Sequence, residues 1–210
     1  MRVFILCTGR CGSASVIEAC GHIDNFSAGH ESLADEVGEK RWDYPDWHIE
    51  ADNRLSWHLG QLDRRFGDAP FFVHLTRDRK ATAKSYAKRF FEGKSIMDAF
   101  AGGMRKTPPE TLTRAERLEF CEDYVDTVNA NIVHFLKDKT KVMPMRLEQF
   151  EEDFKRFWKE IDAKGDLNQA LKSLKTKHNT SAKHTYDTGY GLKLFMLRRW
   201  KIIEKVFSSS

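Results

Sequence analysis

A run of apolar residues, Val3, Phe4, Ile5 and Leu6, stops at Thr8-Gly9 and gives way to a cation, two glycines and two serines before a second apolar-periodic run begins. A strand with no polar alternation must be covered on both faces, which is the condition of a strand in a parallel sheet with helices packed on it. A glycine turn leading into a helix exposes backbone N–H groups at the helix N-terminus and suits an anion. The usual G-x-x-x-x-G-K-[ST] spacing is missing, however, and Arg10 is the cation within the turn.

The rest of the chain alternates in the same way. Strands are expected at residues 2–8, 48–52, 70–76 and 141–147, with a short extended piece at 26–31. Helices are expected at 13–21 (capped by Ser13), 54–66, from Asp78 to about Phe91, 113–138, 148–162, 166–176 and 191–207. The helix at 113–138 repeats Leu118, Cys121, Tyr124, Val125, Val128, Ile132 and Phe135 at helical spacing. Residues 32–47 read as a polar loop carrying Trp42, Tyr44 and Trp47, and 93–112 as irregular. This order implies an α/β fold in three layers: a central, mostly parallel sheet with helices on both faces. The 210 residues fit a single domain, 1–210, with 92–112 and 178–190 as loops or lid segments.

Thirty-five Lys and Arg against 31 Asp and Glu leave a net charge of +4, enough to suit an anionic small ligand and too little to argue for nucleic acid. No apolar segment approaches the roughly 20 residues of a membrane span. No secretory h-region opens the sequence, so a cytoplasmic location is expected. The four cysteines (Cys7, Cys11, Cys20, Cys121) form no CxxC and no metal spacing, and read as small buried or loop residues of a reducing compartment.

Two segments look like halves of one anion site. In the first, the backbone of Gly9, Cys11, Gly12, Ser13 and Ala14, the Arg10 guanidinium and the Ser13 hydroxyl would hold a phosphate or sulfate. An ordinary βα turn with a serine cap is the alternative. The second is "VHLTRDRKATAKSYAKRF", where a strand ends at Thr76, Arg77 follows at once, and Ser85 lies eight residues later. That spacing is about two helical turns, so both can converge on one phosphate. A solvated helix with a basic face explains Lys80, Lys84 and Lys88 well, and explains an arginine at a strand end less well.

The two motifs in this order resemble those of sulfotransferases that use 3′-phosphoadenosine 5′-phosphosulfate (PAPS). "GRCGS" is similar to their 5′-phosphosulfate loop, and Arg77 with Ser85 to their 3′-phosphate motif. "VMPMRLEQF" is similar to their late strand, and the likeness covers most of residues 2–163. Arg10 stands where many members carry lysine and is similar to bacterial and carbohydrate-modifying members with R-x-G-[ST]. The late "HNTSAKHTYDTGYGLK" matches the family's adenosine-covering loop only loosely, and Lys183 would be its cofactor contact.

The resemblance implies a P-loop NTPase-like sulfotransferase fold, PAPS as co-substrate, no required metal, and a small-molecule or carbohydrate acceptor. It also implies a base for the acceptor in "GHES", with Glu31 favoured over its neighbour His30. Adjacent residues on an extended piece point to opposite faces, so one of the two faces the site. His74 reads as a core histidine; Glu50 and Asp52 fall near a strand's carboxyl end, with Asp52 either a helix cap or a group that touches the acceptor or orients a cation; the aromatics of 32–47 read either as stacking groups for an acceptor or as core plugs. A nucleotide kinase or other phosphotransferase, and a non-catalytic phosphonucleotide binder, are the competing readings. The missing Walker lysine counts against the first of these, and an intact Arg10 against the second.

Overall fold

The computed structural model describes residues 1–90 and 95–175. Lys183, the loop at 178–190 and the last expected helix lie outside the described residues. The described elements are β1 (Arg2–Cys7), α1 (Ser13–Cys20), β2 (Ser27–His30), β3 (His48–Ala51), α2 (Leu59–Phe66), β4 (Phe71–Thr76) and α3 (Arg79–Ala87). Then come the single turn α4 (Ile96–Asp98), which runs into a π-helical turn (Ala99–Met104), α5 (Arg114–Leu136), β5 (Val142–Arg146), α6 (Phe150–Glu160) and α7 (Leu167–Lys175).

The five strands form one sheet in the order β2-β3-β1-β4-β5, and every pairing is parallel. Alternate side chains divide the core into two layers. Val3, Ile5 and Cys7 of β1 join Ile49, Ala51, Val73, Leu75, Met143 and Met145 under α1, α6 and α7. Phe4, Leu6 and Phe72 pack on the other face with Leu62 of α2, Ala83 and Tyr86 of α3, and Tyr124, Val125 and Val128 of α5. The three-layer α/β reading therefore holds, and the sheet is wholly parallel. The edges are blunted in the usual ways. β2 has four residues, and β5 carries Pro144, whose carbonyl accepts from Arg156 at 3.2 Å.

The strand order has a consequence for ligands. The chain leaves β1 through α1 toward β2 on one side of the sheet, and leaves β4 through α3 to α5 toward β5 on the other. β1 and β4 are neighbours, so a crevice opens between their carboxyl ends, where such sheets take ligands. The loop after Cys7 and the segment at Arg77 flank that crevice.

Several boundaries differ from expectation. The segment at 54–66 splits into a 3₁₀ turn, Asn53–Trp57, and α2, because Asp52 caps the turn through the Arg54 N–H at 2.8 Å and His58 interrupts the helical dihedrals. α3 ends at Ala87, short of Phe91. Ser13 does not cap α1. The cap is Gly12 in the left-handed region (φ +96°), and Ser13 is the first helical residue.

Phe72 is fully buried between Phe4 and Phe135. Phe72→Ala is expected to lower the unfolding free energy by about 3–5 kcal/mol, read from urea denaturation. A loss below about 1 kcal/mol would mean that the helical layer closes over the gap.

Candidate functional site

The loop from Thr8 to Gly12 is held from beneath at one atom. The Thr8 carbonyl accepts from the Tyr86 hydroxyl at 2.6 Å and the Tyr124 hydroxyl at 2.7 Å, with the Asn53 amide at 3.5 Å. Burial pushes both phenols above their usual range, so they remain donors. Beyond this anchor the backbone turns through positive φ at Gly9 (+78°), Arg10 (+57°) and Gly12 (+96°). Gly9 is required twice over, since a Cβ there would sit 2.4 Å from the Tyr86 hydroxyl. At Gly12 a Cβ would meet Leu147 at 2.8 Å and the Phe150 ring at 3.1 Å, which packs the exit of β5 against the loop. Gly12 has no side chain to cap α1, so the first-turn N–H groups are left for solvent or a ligand.

The two halves of the expected anion site meet. Arg10 Nε donates to Ser85 Oγ of α3 at 3.2 Å, and Arg77 donates from a terminal guanidinium nitrogen to the Arg10 carbonyl at 3.2 Å. Arg10, Arg77 and Ser85, three residues spread over 75 positions, thus share one crevice. Arg79 is excluded from it. It pairs with Asp126 at 2.6 Å and Glu122 at 2.7 Å on α5. Asp78 separates the two arginines by capping α3 through the Ala81 N–H at 2.8 Å, while its own N–H donates to Glu148 at 2.8 Å.

At the end of β2 the candidate bases take different surroundings. His30 Nε2 is hydrogen-bonded to Ser13 Oγ at 3.0 Å, so its ring reaches the start of α1. Glu31, at φ +54°, pairs with Arg54 at 2.6 Å. The turn carrying them rests on buried Glu50, which accepts the Ser32 N–H at 2.8 Å, the Ser32 hydroxyl at 2.6 Å and His48 Nε2 at 3.0 Å. With Nε2 donating to the carboxylate, His48 Nδ1 accepts from Ser27 Oγ at 2.8 Å. Burial opposes Glu50 ionisation, but these donors outweigh it and hold the carboxyl below its ordinary value.

Sequence reasoning placed Glu50 near a strand's carboxyl end but gave it no partner, and it missed Asn53, Arg54, Tyr86 and Tyr124. The aromatics and the asparagine looked like ordinary core or turn residues, since partners 45 to 116 positions away leave no local signature. Asn53 Oδ1 and Trp57 Nε1, on the same 3₁₀ turn, are buried without a hydrogen-bond partner, and offer one acceptor and one donor near the loop anchor. The lesser candidates resolve plainly. His74 is bonded to Asn129 at 3.0 Å, and burial lowers its pKa. Asp52 is a cap and pairs with Arg41 at 2.5 Å, while burial raises its carboxyl above the usual range. Tyr44 is a core plug against Phe4, Trp47 stands exposed beside Phe26, and His58 is exposed beside Trp42. Trp42 lines an open groove of about 720 Å³ with Phe66, whose ring lies under Arg2 at the amino end of β1, away from the loop.

Among the described residues no three metal-ligating side chains cluster, and no helix is long and apolar enough to cross a membrane. A scan against protein-family models gives no match, and a search of curated proteins finds no relative.

Because the folded pKa of Glu50 lies below its unfolded value of 4.5, its ionised form stabilises the fold fully above that pH. The contribution is lost as pH falls through the lower folded value. The stability gap between the wild type and Glu50→Gln is therefore expected to stay constant from neutral pH to about pH 5 and to close in more acid solution, read from thermal melts. A gap that widens on acidification would contradict the arrangement.

Proposed function

We propose that the chain is a sulfotransferase that moves the sulfuryl group of PAPS to an acceptor hydroxyl or amine, on a P-loop-like α/β fold. The observation that carries this reading is the meeting of Arg10, Arg77 and Ser85 in the crevice between β1 and β4. A ligand with anionic groups at both ends uses a backbone loop for one and a strand-end arginine with a helix serine for the other. The family resemblance assigns the 5′-phosphosulfate to the loop and the 3′-phosphate to Arg77 and Ser85. In that reading the acceptor oxygen or nitrogen forms a bond to sulfur as the bond from sulfur to the 5′-phosphate oxygen breaks. The acceptor proton goes to a side-chain base, and 3′-phosphoadenosine 5′-phosphate departs. Arg10 and the first-turn N–H groups of α1 stabilise charge on the sulfuryl oxygens and the leaving phosphate.

For the base we place His30 first, because its ring reaches Ser13 of the loop, and Glu31 second, because its carboxylate is engaged by Arg54. A base needs reach before it needs a matched pKa.

At about 100 times its dissociation constant, 3′-phosphoadenosine 5′-phosphate is expected to add about 2.7 kcal/mol of stability, a rise of about 5–10 °C in Tm. Arg77→Ala is expected to weaken that binding by about 2–3 kcal/mol and to leave adenosine 5′-phosphosulfate, which lacks the 3′-phosphate, nearly unaffected. Equal losses for both ligands would sink the assignment. Stabilisation by ATP with magnesium in place of the bisphosphate would favour phosphotransfer.

His30→Gln is expected to cut PAPS turnover by roughly 10²–10⁴ with bisphosphate binding intact, measured against a panel of saccharides, phenols and amines. A larger loss in Glu31→Gln, with His30→Gln active, returns the base to Glu31.

A further inference from the structure

The turn that follows β3 concentrates polar groups that the protein itself does not satisfy. Asn53 Oδ1, Arg54 Nη1 and Trp57 Nε1 are buried, and none has a hydrogen-bond partner among the described residues. All three belong to the 3₁₀ turn Asn53–Trp57. Native folds leave only a few such atoms in about 100 residues, and each calls for an explanation.

β3 pairs in parallel with β1, so the turn stands at the carboxyl edge of the sheet beside the glycine loop. Asn53 lies against that loop. Its amide nitrogen is 3.5 Å from the Thr8 carbonyl, and a Cβ on Gly9 would come within 3.0 Å of it. Trp57 packs on Tyr124 and Phe100, with ring centroids 6.2 and 6.0 Å apart. Arg54 reaches the other way, to Glu31 just past β2, in an ion pair of 2.6 Å. The turn thus extends from the glycine loop to the end of β2, where the two candidate bases lie.

We infer that this turn is the acceptor subsite, and that the acceptor is a polyhydroxylated compound, a saccharide. The inference rests on the transferase reading above. The three atoms offer one acceptor and two donors. A hydroxyl both donates and accepts, so neighbouring hydroxyls of one sugar answer all three. A phenol brings a single hydroxyl, and an ammonium group brings donors only and is repelled by Arg54. Access is through Arg54 and Glu31, whose side chains are 36% and 34% exposed. A half-exposed ion pair is weak, so a sugar hydroxyl can part it, accepting from the guanidinium and donating to the carboxylate. The indole N–H and the asparagine oxygen then meet the next hydroxyls. A site whose polar groups stay unpaired without the right ligand rejects acceptors that lack the matching hydroxyls.

The experiment follows transfer of a radiolabelled sulfuryl group from PAPS to the panel of saccharides, phenols and amines. A saccharide is expected to be the best acceptor of the wild type. Trp57→Phe keeps a ring on Tyr124 and removes the N–H. It is expected to raise KM for that saccharide about 10-fold, with kcat within about twofold. The thermal shift given by 3′-phosphoadenosine 5′-phosphate is expected to stay unchanged. Arg54→Gln is expected to act in the same direction, and it decides the matter if Trp57→Phe does not fold. An unchanged KM, or a loss confined to kcat, overturns the inference. A bisphosphate shift lost along with acceptor affinity gives the turn to the cofactor and overturns it as well. Label on phenols or amines as readily as on any saccharide overturns the inference and leaves the transferase reading standing. No label on any acceptor refutes the transferase reading, and the inference with it.

Discussion

Two phenolic hydroxyls on one backbone carbonyl organise the site. Tyr86 comes from α3 and Tyr124 from α5, and both donate to the Thr8 oxygen within 2.7 Å. A carbonyl has two lone pairs, and in a buried setting each phenol would otherwise be left without a partner at a penalty of about 1–3 kcal/mol. The contact ties two helices, packed ring edge to ring face at 5.2 Å between centroids, to the end of the central strand. It also determines where the loop begins to turn. With the Thr8 oxygen committed to the core, the next residues reverse direction through the left-handed region, which is why Gly9 lies so close to Tyr86 that no Cβ fits. The Gly9–Gly12 loop is thus shaped from below by residues of α3 and α5.

Most of the scaffold was legible in the sequence. The strands at the sheet centre are unbroken apolar runs because both faces are covered, and that signal is local. The same applies to α5, whose buried stripe of Cys121, Tyr124, Val125, Val128 and Ile132 was visible as a helical period. Arg77 and Ser85 could be placed on one side of a strand–helix junction by counting residues. What remained hidden depended on long-range geometry. His30 at the end of β2 meets Ser13 at the start of α1, and Glu31, just past β2, meets Arg54 on the 3₁₀ turn after β3; both pairings join separate elements at the sheet edge. Glu31 lies past the end of β2 at φ +54°, so the alternation expected of an extended piece stops at His30. The cap of α1 was assigned to Ser13 because serine is the stronger capping residue. The tight passage past Leu147 and Phe150, which only glycine allows, moved it to Gly12.

Charge in this protein is distributed by pairing more than by number. Arg79 is neutralised by Asp126 and Glu122, Arg41 by Asp52, and Arg54 by Glu31. Arg77, two residues before Arg79, uses a guanidinium N–H on a backbone carbonyl instead. Several arginines outside the Gly9–Gly12 loop are thereby paired with carboxylates. The sorting arises from Asp78: by capping α3 it starts the helix at Arg79, turning that residue toward α5 and leaving Arg77 at the strand end.

The buried polar groups around β3 explain why the loops beside the crevice are held in place. Glu50, with His48, Ser27 and Ser32, grips the turn after β2. Asp52, with Arg41, pins the segment between β2 and β3, and the Tyr44 ring is driven into the core beside it. Apolar residues of similar volume would stabilise the fold as well or better, because desolvating charges offsets much of their attraction. What such pairs supply is position. A carboxylate with three donors on it accepts few other arrangements, so His30 and Glu31 are delivered to fixed places above the sheet. Chemistry that depends on near-attack geometry rewards that rigidity more than it would a few additional kilocalories of stability. The segment 32–47 is tied down at its middle by Arg41, which pairs with Asp52 and donates to the Tyr44 hydroxyl.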